Sequence, residues 1–186
     1  MDVMQAIAGR RSIKRFADRP IERRRIESVL DAAVQAPNHR MTQPWRFYVL
    51  GPVARRRYGA VLGGRKARKV EDPAVARQVA EKFENEHAAL PVMIAVSMKE
   101  NENAEIREED YAATMMAVQN LMLAAEAAGL GTHLKTGAVM QDPAARAAVG
   151  VPADERIVAV IHAGEPDEAP AARPRTPAAD LTHWTD

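Results

Sequence analysis

The stretch PNHRMTQPWRF, residues 37–47, joins a polar loop to an aromatic run that is typical of a β-strand. The run from Trp45 to Leu50 is aromatic and β-branched, and it follows Pro44, a position where the missing N–H of proline is tolerated. A loop next to a rigid strand can offer polar side chains to a ligand, because its backbone is not part of the hydrogen-bonded ladder of a sheet. We therefore treat Asn38, His39 and Gln43 as candidate ligand-binding residues.

A basic segment precedes this loop at Arg10, Arg11 and Ser12. The planar guanidinium of arginine makes paired, charge-assisted hydrogen bonds to phosphate, and a hydroxyl can complete the phosphate shell. Taken alone, the same residues are typical of a basic helix end that is stabilised by the helix dipole. In combination with the aromatic loop, they suggest a bound, phosphorylated aromatic ligand.

Hydrophobic periodicity predicts an α+β chain in which four strands are distributed among helices. Two amphipathic helices flank the basic segment, one ending at Gly9 and the other before Pro37. Residues 92–98 and 157–163 are continuous apolar runs, so we expect two buried strands that need cover on both faces. The other predicted elements are helices at 54–64, 73–89, 111–128 and 143–149, strands at 45–50 and 130–136, and a basic connection at 65–69.

The predicted helix Tyr111–Ala128 has apolar side chains on all sides. A helix of this kind must be buried. In a chain of 186 residues the sheet can cover one side and a second subunit the other, which makes a homodimer a reasonable hypothesis. The acidic residues Glu108, Glu109 and Asp110 directly precede this helix, where negative charge suits the positive helix N-terminus.

The length of 186 residues predicts a single domain over residues 1–186, with an extended arm from about residue 165, where Pro, Ala and Arg dominate. The chain has no cysteine, so redox chemistry would need a cofactor, and its histidines have no metal-like spacing. The formal net charge of +1 gives no overall attraction to nucleic acid or to anionic membranes. Because there is neither a signal-like start nor a membrane-length apolar stretch, we expect a cytoplasmic protein.

The segment Arg10–Ser12 and the loop at residues 37–47 together resemble the opening of the nitroreductase family, which binds flavin mononucleotide (FMN). Members begin with Arg-Arg-Ser and carry a Pro-Ser-Ser-x-Asn-x-Gln-Pro-Trp-x-Phe loop. The resemblance implies a three-layer α/β/α sandwich with a mixed, mainly antiparallel sheet, and a homodimer with FMN at the subunit interface. It also implies that the loop approaches the flavin of the partner subunit, which makes Gln35, Asn38 and His39 candidates for contacts across the dimer.

Two further segments match a compact subgroup of the same family. Residues 129–137, GLGTHLKTG, are similar to its Gly-x-Gly-x-x-Trp-Arg-Ser/Thr-Gly segment, and residues 173–177, RPRTP, to its Arg-Pro-Arg-Pro tail. The resemblance assigns Leu134, Lys135 and Thr136 to contacts with FMN, and Arg175 to the phosphate site. Three positions depart from the pattern, since Met41 stands in place of Asn, Leu134 in place of Trp and Lys135 in place of Arg.

The resemblance implies an FMN-dependent enzyme that takes hydride from NADH or NADPH and passes electrons to a small acceptor such as a nitroaromatic or a quinone. It names no catalytic side chain, because the flavin supplies the chemistry. The departures at Met41, Leu134 and Lys135 leave a second hypothesis open, a flavin store or redox sensor with the same fold and little turnover. A third, nucleic-acid association through residues 55–69, has Tyr58 as the sole stacking aromatic in that run.

Overall fold

The computed structural model describes residues 1–185, and within that range it contains six α-helices and four β-strands. None of the helices in this range is long and apolar enough to cross a membrane. The helices are α1 (Val3–Gly9), α2 (Arg23–Ala33), α3 (Pro52–Ala67), α4 (Pro73–Ala88), α5 (Ala104–Ala127) and α6 (Pro143–Val149). The strands are β1 (Trp45–Val49), β2 (Val92–Lys99), β3 (Gly131–Lys135) and β4 (Glu155–Gly164), and short 3-10 turns lie at His39–Met41, Ala138–Gln141 and Ala178–Leu181.

The four strands form one sheet in the order β1-β2-β4-β3, and each neighbouring pair is antiparallel. The central strands are β2 and β4, whose continuous apolar sequences led us to expect burial on both faces. An isolated parallel bridge joins Ser12 to Thr132 of β3, so the N-terminal segment runs along the edge of the sheet. The sheet is therefore mainly antiparallel, with one parallel contact at its edge.

A separate hydrophobic core lies on each face of the sheet. On one face, Ile94 and Val96 of β2 pack with residues of α2 and α5. On the other face, Met93 and Ala95 of the same strand pack with residues of α3 and α6. The alternation follows from the two-residue period of a strand. The predicted α+β fold, with helical layers on both sides of one sheet, is confirmed.

The prediction for α5 was wrong at its N-terminus, because the helix begins at Ala104 and not at residue 111. The side chain of Asn103 caps it by accepting hydrogen bonds from two backbone N–H groups of the first turn. These first turns are polar, so they carry no apolar stripe that periodicity could detect. Glu108, Glu109 and Asp110, which were expected to precede the helix, lie inside it.

Two arginines of the basic run at residues 55–69 are bonded to the protein itself. Arg55 donates to the backbone carbonyls of Leu90 and Pro91, which precede β2. Arg65 forms an ion pair with Asp142, the N-cap of α6, at 2.9 Å. The helix α3 includes residues 65–67, so the predicted connection at 65–69 was wrong over those residues. The positive charge of this run therefore serves in part to join α3 to neighbouring elements.

The helices α3 and α4 approach each other closely at two glycines of α3. A Cβ atom on Gly59 would lie 2.6 Å from the carbonyl oxygen of Phe83, and one on Gly63 would lie 2.7 Å from the carbonyl oxygen of Ala80. Real Cβ atoms do not approach backbone atoms this closely, so the packing distance requires residues without a side chain. The two glycines thus set how near α4 lies to the sheet-facing helix α3.

We expect Gly63→Ala to destabilise the protein by about 2 kcal/mol, because the added methyl group meets the backbone of α4, which cannot yield as a flexible side chain would. Gly64→Ala is the matched control, since no atom lies within 4 Å of a Cβ there and replacement of a helical glycine stabilises by about 0.5–1 kcal/mol. Urea unfolding followed by circular dichroism measures both free energies. Equal effects of the two substitutions would contradict the close contact of α3 with α4.

Candidate functional site

The extended segment that follows α1 is pressed against the start of β3. Ile13 is buried, and its N–H donates to the carbonyl oxygen of Thr132 at 2.8 Å. Gly131 makes room for it, because a Cβ atom on Gly131 would lie 2.5 Å from Cγ1 of Ile13. Side chains alternate along an extended segment, so burial of Ile13 turns Ser12 and Lys14 outward, and both are exposed.

The same N-terminal segment also contacts the chain at the end of β4. The N–H of Ala17 donates to the carbonyl oxygen of Glu165 at 2.9 Å, and the N–H of Asp167 donates to the carbonyl oxygen of Arg15 at 3.2 Å. Phe16 bridges backbone to backbone with Pro166 in the same region. These contacts bring the basic segment at residues 10–12 next to the C-terminal arm.

A cavity of about 830 Å³, which we call the basic cavity, lies between the N-terminal segment and the C-terminal arm. The predicted phosphate-binding residues Arg10, Arg11, Ser12 and Arg175 line it together. Its charged lining consists of six cations and one carboxylate: Arg10, Arg11, Lys14, Arg15, Arg173, Arg175 and Glu168, of which Glu168 pairs with Arg15. An excess of positive charge in a concave site favours an anionic ligand.

Arg11 has a second contact, with the end of α1. Its Nη1 donates to the carbonyl oxygens of Ala8 at 2.6 Å and Gly9 at 2.9 Å. A cation at this position complements the negative end of the helix dipole and satisfies carbonyls that have no partner within the helix. The two roles that the sequence left open for Arg11, helix end and anion site, are therefore compatible in space.

A second cavity, of about 860 Å³, lies against the sheet face that α3 and α4 cover, and we call it the histidine cavity. Much of its wall is apolar or aromatic, and the predicted residues Lys135 and Thr136 line it. Lys14 and His133 line both cavities, so the two spaces adjoin. The remaining lining residues that matter for its chemistry are Tyr58, Leu62, Lys66, Phe83, Glu86, His87, Met140 and His162.

Burial is the main influence on the basic groups of the histidine cavity. Burial, together with the positive charges of Lys135 and Lys14, lowers the pKa of His133 to about 4. Burial also lowers the pKa of His87 and, together with Lys14, that of Lys135. Because charged forms are disfavoured in a poorly solvated site, His87 and His133 are neutral at pH 7. The lysines supply the positive charge of the cavity.

The polar loop before β1 is organised by its own side chains and by α5. The side-chain carbonyl of Asn38 accepts a hydrogen bond from the N–H of Gln43 at 2.6 Å. His39 lies 2.9 Å from Glu109 of α5, and with Arg40 it lowers the pKa of that carboxyl group. The four predicted residues of this region line neither cavity of their own chain: Gln35, Asn38, His39 and Gln43.

Leu134 is separated from the other predicted residues of its segment. Its side chain packs against the core on the α2 and α5 face of the sheet, and it lines neither cavity. The reason is the alternation of a strand, which directs Leu134 to one face and its neighbours His133 and Lys135 to the other. The sequence resemblance gave no sign of this division.

Among the residues that line these cavities and that sequence reasoning missed are Lys14, His133 and His162. Lys14 could have been found, because it lies two positions after Ser12 in an extended segment and so shares its side. His133 and His162 are direct partners in the pairing of β3 with β4. No local pattern predicts that pairing, because it joins residues 29 positions apart through strand register.

The chain belongs to the nitroreductase family. The family model described as Nitroreductase family matches residues 7–165, which include the N-terminal segment, the polar loop and all four strands. The family predicted from the sequence motifs is therefore confirmed, and the three-layer fold agrees with it.

Individual relatives match this chain over nearly its whole length. The Bacillus subtilis protein named "Putative NAD(P)H nitroreductase YfhC" is 35% identical over 175 residues, covering 94% of this chain and 89% of that protein. The structure of a nitroreductase-like family protein from Bacillus cereus superposes with a TM-score of 0.86 at 28% identity, covering 100% and 97% of the two chains. A Desulfovibrio desulfuricans protein solved in complex with FMN has a TM-score of 0.74 at 27% identity, covering 99% and 96%.

Proposed function

We propose that the protein is an FMN-dependent oxidoreductase that transfers electrons from NADH or NADPH to a small acceptor such as a nitroaromatic or a quinone. The observation that carries this proposal is the pair of adjoining cavities, one strongly cationic and the other largely apolar, which meet at Lys14 and His133. FMN combines a phosphate with a large planar ring, so a single molecule needs both environments. Family membership and the FMN complex of the Desulfovibrio relative support the choice of ligand. We propose that it acts in the cytoplasm.

The basic cavity is the proposed phosphate site. Arg10 and Ser12 come from the start of the chain and Arg175 from its end, and they line one space. Guanidinium groups bind phosphate oxygens in pairs, and a hydroxyl donates a further hydrogen bond. Arg11 adds positive charge from its position at the end of α1. The donor set therefore matches a phosphate monoester.

The histidine cavity is the proposed site of the flavin ring. Its apolar and aromatic wall suits a planar aromatic system, and Lys14, Lys135 and Thr136 add polar groups to the lining. Bound FMN would supply the redox chemistry, which is hydride transfer from the nicotinamide and electron transfer to the acceptor. The ammonium groups of Lys14 and Lys135 would stabilise negative charge on the reduced ring. Solvent can protonate the product, so we assign no catalytic side chain, and Leu134 stays outside the proposed site.

The proposed enzyme is a homodimer with FMN at the subunit interface. Large apolar side chains are exposed on α1 and on the outward side of α5: Val3 is 70% exposed, Met4 71%, Ile7 50% and Met116 41%. A group of exposed apolar side chains marks an interaction surface. Ile7 also lines the basic cavity, so a partner on α1 would cover part of the cavity rim. The polar loop, with Gln35, Asn38, His39 and Gln43, would then contact the flavin of the partner.

Phosphate binding predicts a difference between FMN and riboflavin, which lacks the phosphate. We expect Arg175→Met to weaken FMN binding about tenfold, equivalent to about 1.4 kcal/mol, and to leave riboflavin binding unchanged. Titration of flavin fluorescence gives both dissociation constants. Arg23→Met is the control, because Arg23 is exposed on α2 and pairs with Glu27. Equal losses for both flavins would show that Arg175 does not bind the phosphate, and a wild-type protein that takes up no FMN would refute the proposed function.

Turnover distinguishes an enzyme from a flavin store or redox sensor. We expect anaerobic mixing of the FMN-loaded protein with NADH or NADPH to bleach the flavin absorbance in stopped flow within the time of a normal catalytic cycle, on the order of a second or less. A subsequent mix with nitroaromatics and quinones should restore the absorbance. If neither nicotinamide bleaches a properly loaded flavin, the protein is a flavin binder and not an oxidoreductase.

The dimer hypothesis predicts a mass of twice the 20.4 kDa chain by light scattering at micromolar concentration. Met4→Asp should reduce the mass to that of one chain, because it places a charge in the centre of the exposed apolar face of α1. Val53→Asp is the matched control, since Val53 is similarly exposed, at 63%, on α3 in the opposite helical layer. A wild-type protein that is monomeric, or one that responds equally to both substitutions, is incompatible with an interface on α1.

A further inference from the structure

Three histidines from distant parts of the sequence line the histidine cavity together. His133 and His162 are cross-strand partners on β3 and β4, and their ring centroids are 6.2 Å apart. His87 belongs to α4, and its ring meets that of His162 edge to face at 5.4 Å. His162 is therefore the central member of the cluster.

His162 is also the member with an unsatisfied buried atom. The residue is 8% exposed, and its Nε2 has no hydrogen-bond partner among the described residues. His87 differs, because its Nδ1 donates to the carbonyl oxygen of Phe83 at 2.8 Å. A buried polar atom without a partner is uncommon in a folded protein unless water or a ligand satisfies it. Other atoms of His162 line the cavity wall, so a rotation of the ring would bring Nε2, which is shielded in this conformation, to a ligand in the cavity.

The imidazole of His162 is neutral at pH 7. Burial, together with the smaller influences of His87, Lys135 and His133, lowers the pKa of His162 to about 3. The other ionisable side chains that line the cavity are Lys14, Tyr58, Lys66 and Glu86. A neutral imidazole has one donor and one acceptor nitrogen, whereas a protonated imidazole has two donors. His162 can therefore pair with a carbonyl oxygen or with an N–H group.

We propose that His162 is a flavin-binding residue, and that its imidazole hydrogen-bonds the edge of the isoalloxazine ring that carries carbonyl and N–H groups. This inference rests on the FMN-dependent function proposed above, and it adds a contact from β4, outside the segments that the sequence motifs mark. Lys14 and Lys135 give the cavity charge, and His162 gives it a neutral, directional contact. Within residues 1–185, no three His, Cys, Asp or Glu side chains are grouped in a way that could hold a metal ion.

Two substitutions at position 162 separate hydrogen bonding from shape. His162→Leu keeps a side chain of similar size without polar atoms. His162→Gln keeps both a donor and an acceptor at about the distance of Nε2 from the backbone. His183→Gln is the control, because His183 is exposed and lines neither cavity. Each protein is checked by circular dichroism and thermal unfolding, and FMN affinity is then measured by fluorescence titration.

We expect His162→Leu to raise the dissociation constant of FMN at least tenfold and to shift the visible flavin absorbance bands. His162→Gln should stay within about threefold of the wild type, and His183→Gln should match it. If the leucine and glutamine variants lose affinity equally, shape and not hydrogen bonding matters, and the inference is overturned. If all variants bind FMN as the wild type does, the inference fails while the proposed function stands. If the wild type itself binds no FMN, both fail.

A measurement on the unmodified protein covers the case in which the leucine variant does not fold. In a sample labelled with ¹⁵N-histidine, long-range proton–nitrogen spectra report the protonation and hydrogen bonding of each ring nitrogen. The His162 signals are assigned from the His162→Gln spectrum. We expect FMN to shift the Nε2 resonance of His162 and to leave that of His183 in place. An unshifted Nε2 resonance at saturating FMN would overturn the inference.

Discussion

The contact of Ile13 with Gly131 positions the N-terminal basic segment, and both cavities depend on it. Any side chain at residue 131 would occupy the space of Ile13, and the N–H of Ile13 adds a hydrogen bond to the otherwise open edge of β3. Because side chains alternate along an extended backbone, burial of Ile13 places the side chains of Ser12 and Lys14 on the outer side. The next residues then bond to the chain that leaves β4, which brings Arg175 to the same space. A small hydrophobic contact thus determines where the charge of the site lies.

The two cavities differ in the basic side chains that line them. The basic cavity holds arginines, which stay charged in almost any environment and bind anions through a rigid fork. In the histidine cavity, burial lowers the pKa of His133, His162 and Lys135. A ligand with an anionic end and a neutral aromatic end is therefore oriented by the environment before any specific hydrogen bond forms. Lys14, which lines both cavities, stands where the two parts of such a ligand meet.

Local patterns predicted the fold well where burial dictates the sequence. The continuous apolar runs of β2 and β4 follow from helical layers on both faces, and each is present as predicted. The start of α5 was missed because polar turns follow its Asn103 cap. For the site, motifs gave Arg10, Ser12 and Arg175, which the structure brings together. The motifs could not predict the pairing of His133 with His162 or the position of His87 beside them, because strand register and the approach of α4 are properties of the tertiary structure.

The polar loop before β1 has a strained backbone that the proposed homodimer would explain. Arg40, Met41 and Gln43 have positive φ angles of 63°, 51° and 45°, a conformation that costs about 1 kcal/mol or more for each residue with a side chain. The bonds of Asn38 within the loop and the contacts of His39 and Arg40 with Glu109 hold this conformation in place. The side chain of Met41 in this loop is 70% exposed. Because the loop lies away from the cavities of its own chain, the proposed homodimer would give its shape a role as a contact to the surface of the partner. The exposed apolar face of α1, beside the rim of the basic cavity, is where that surface would join the site.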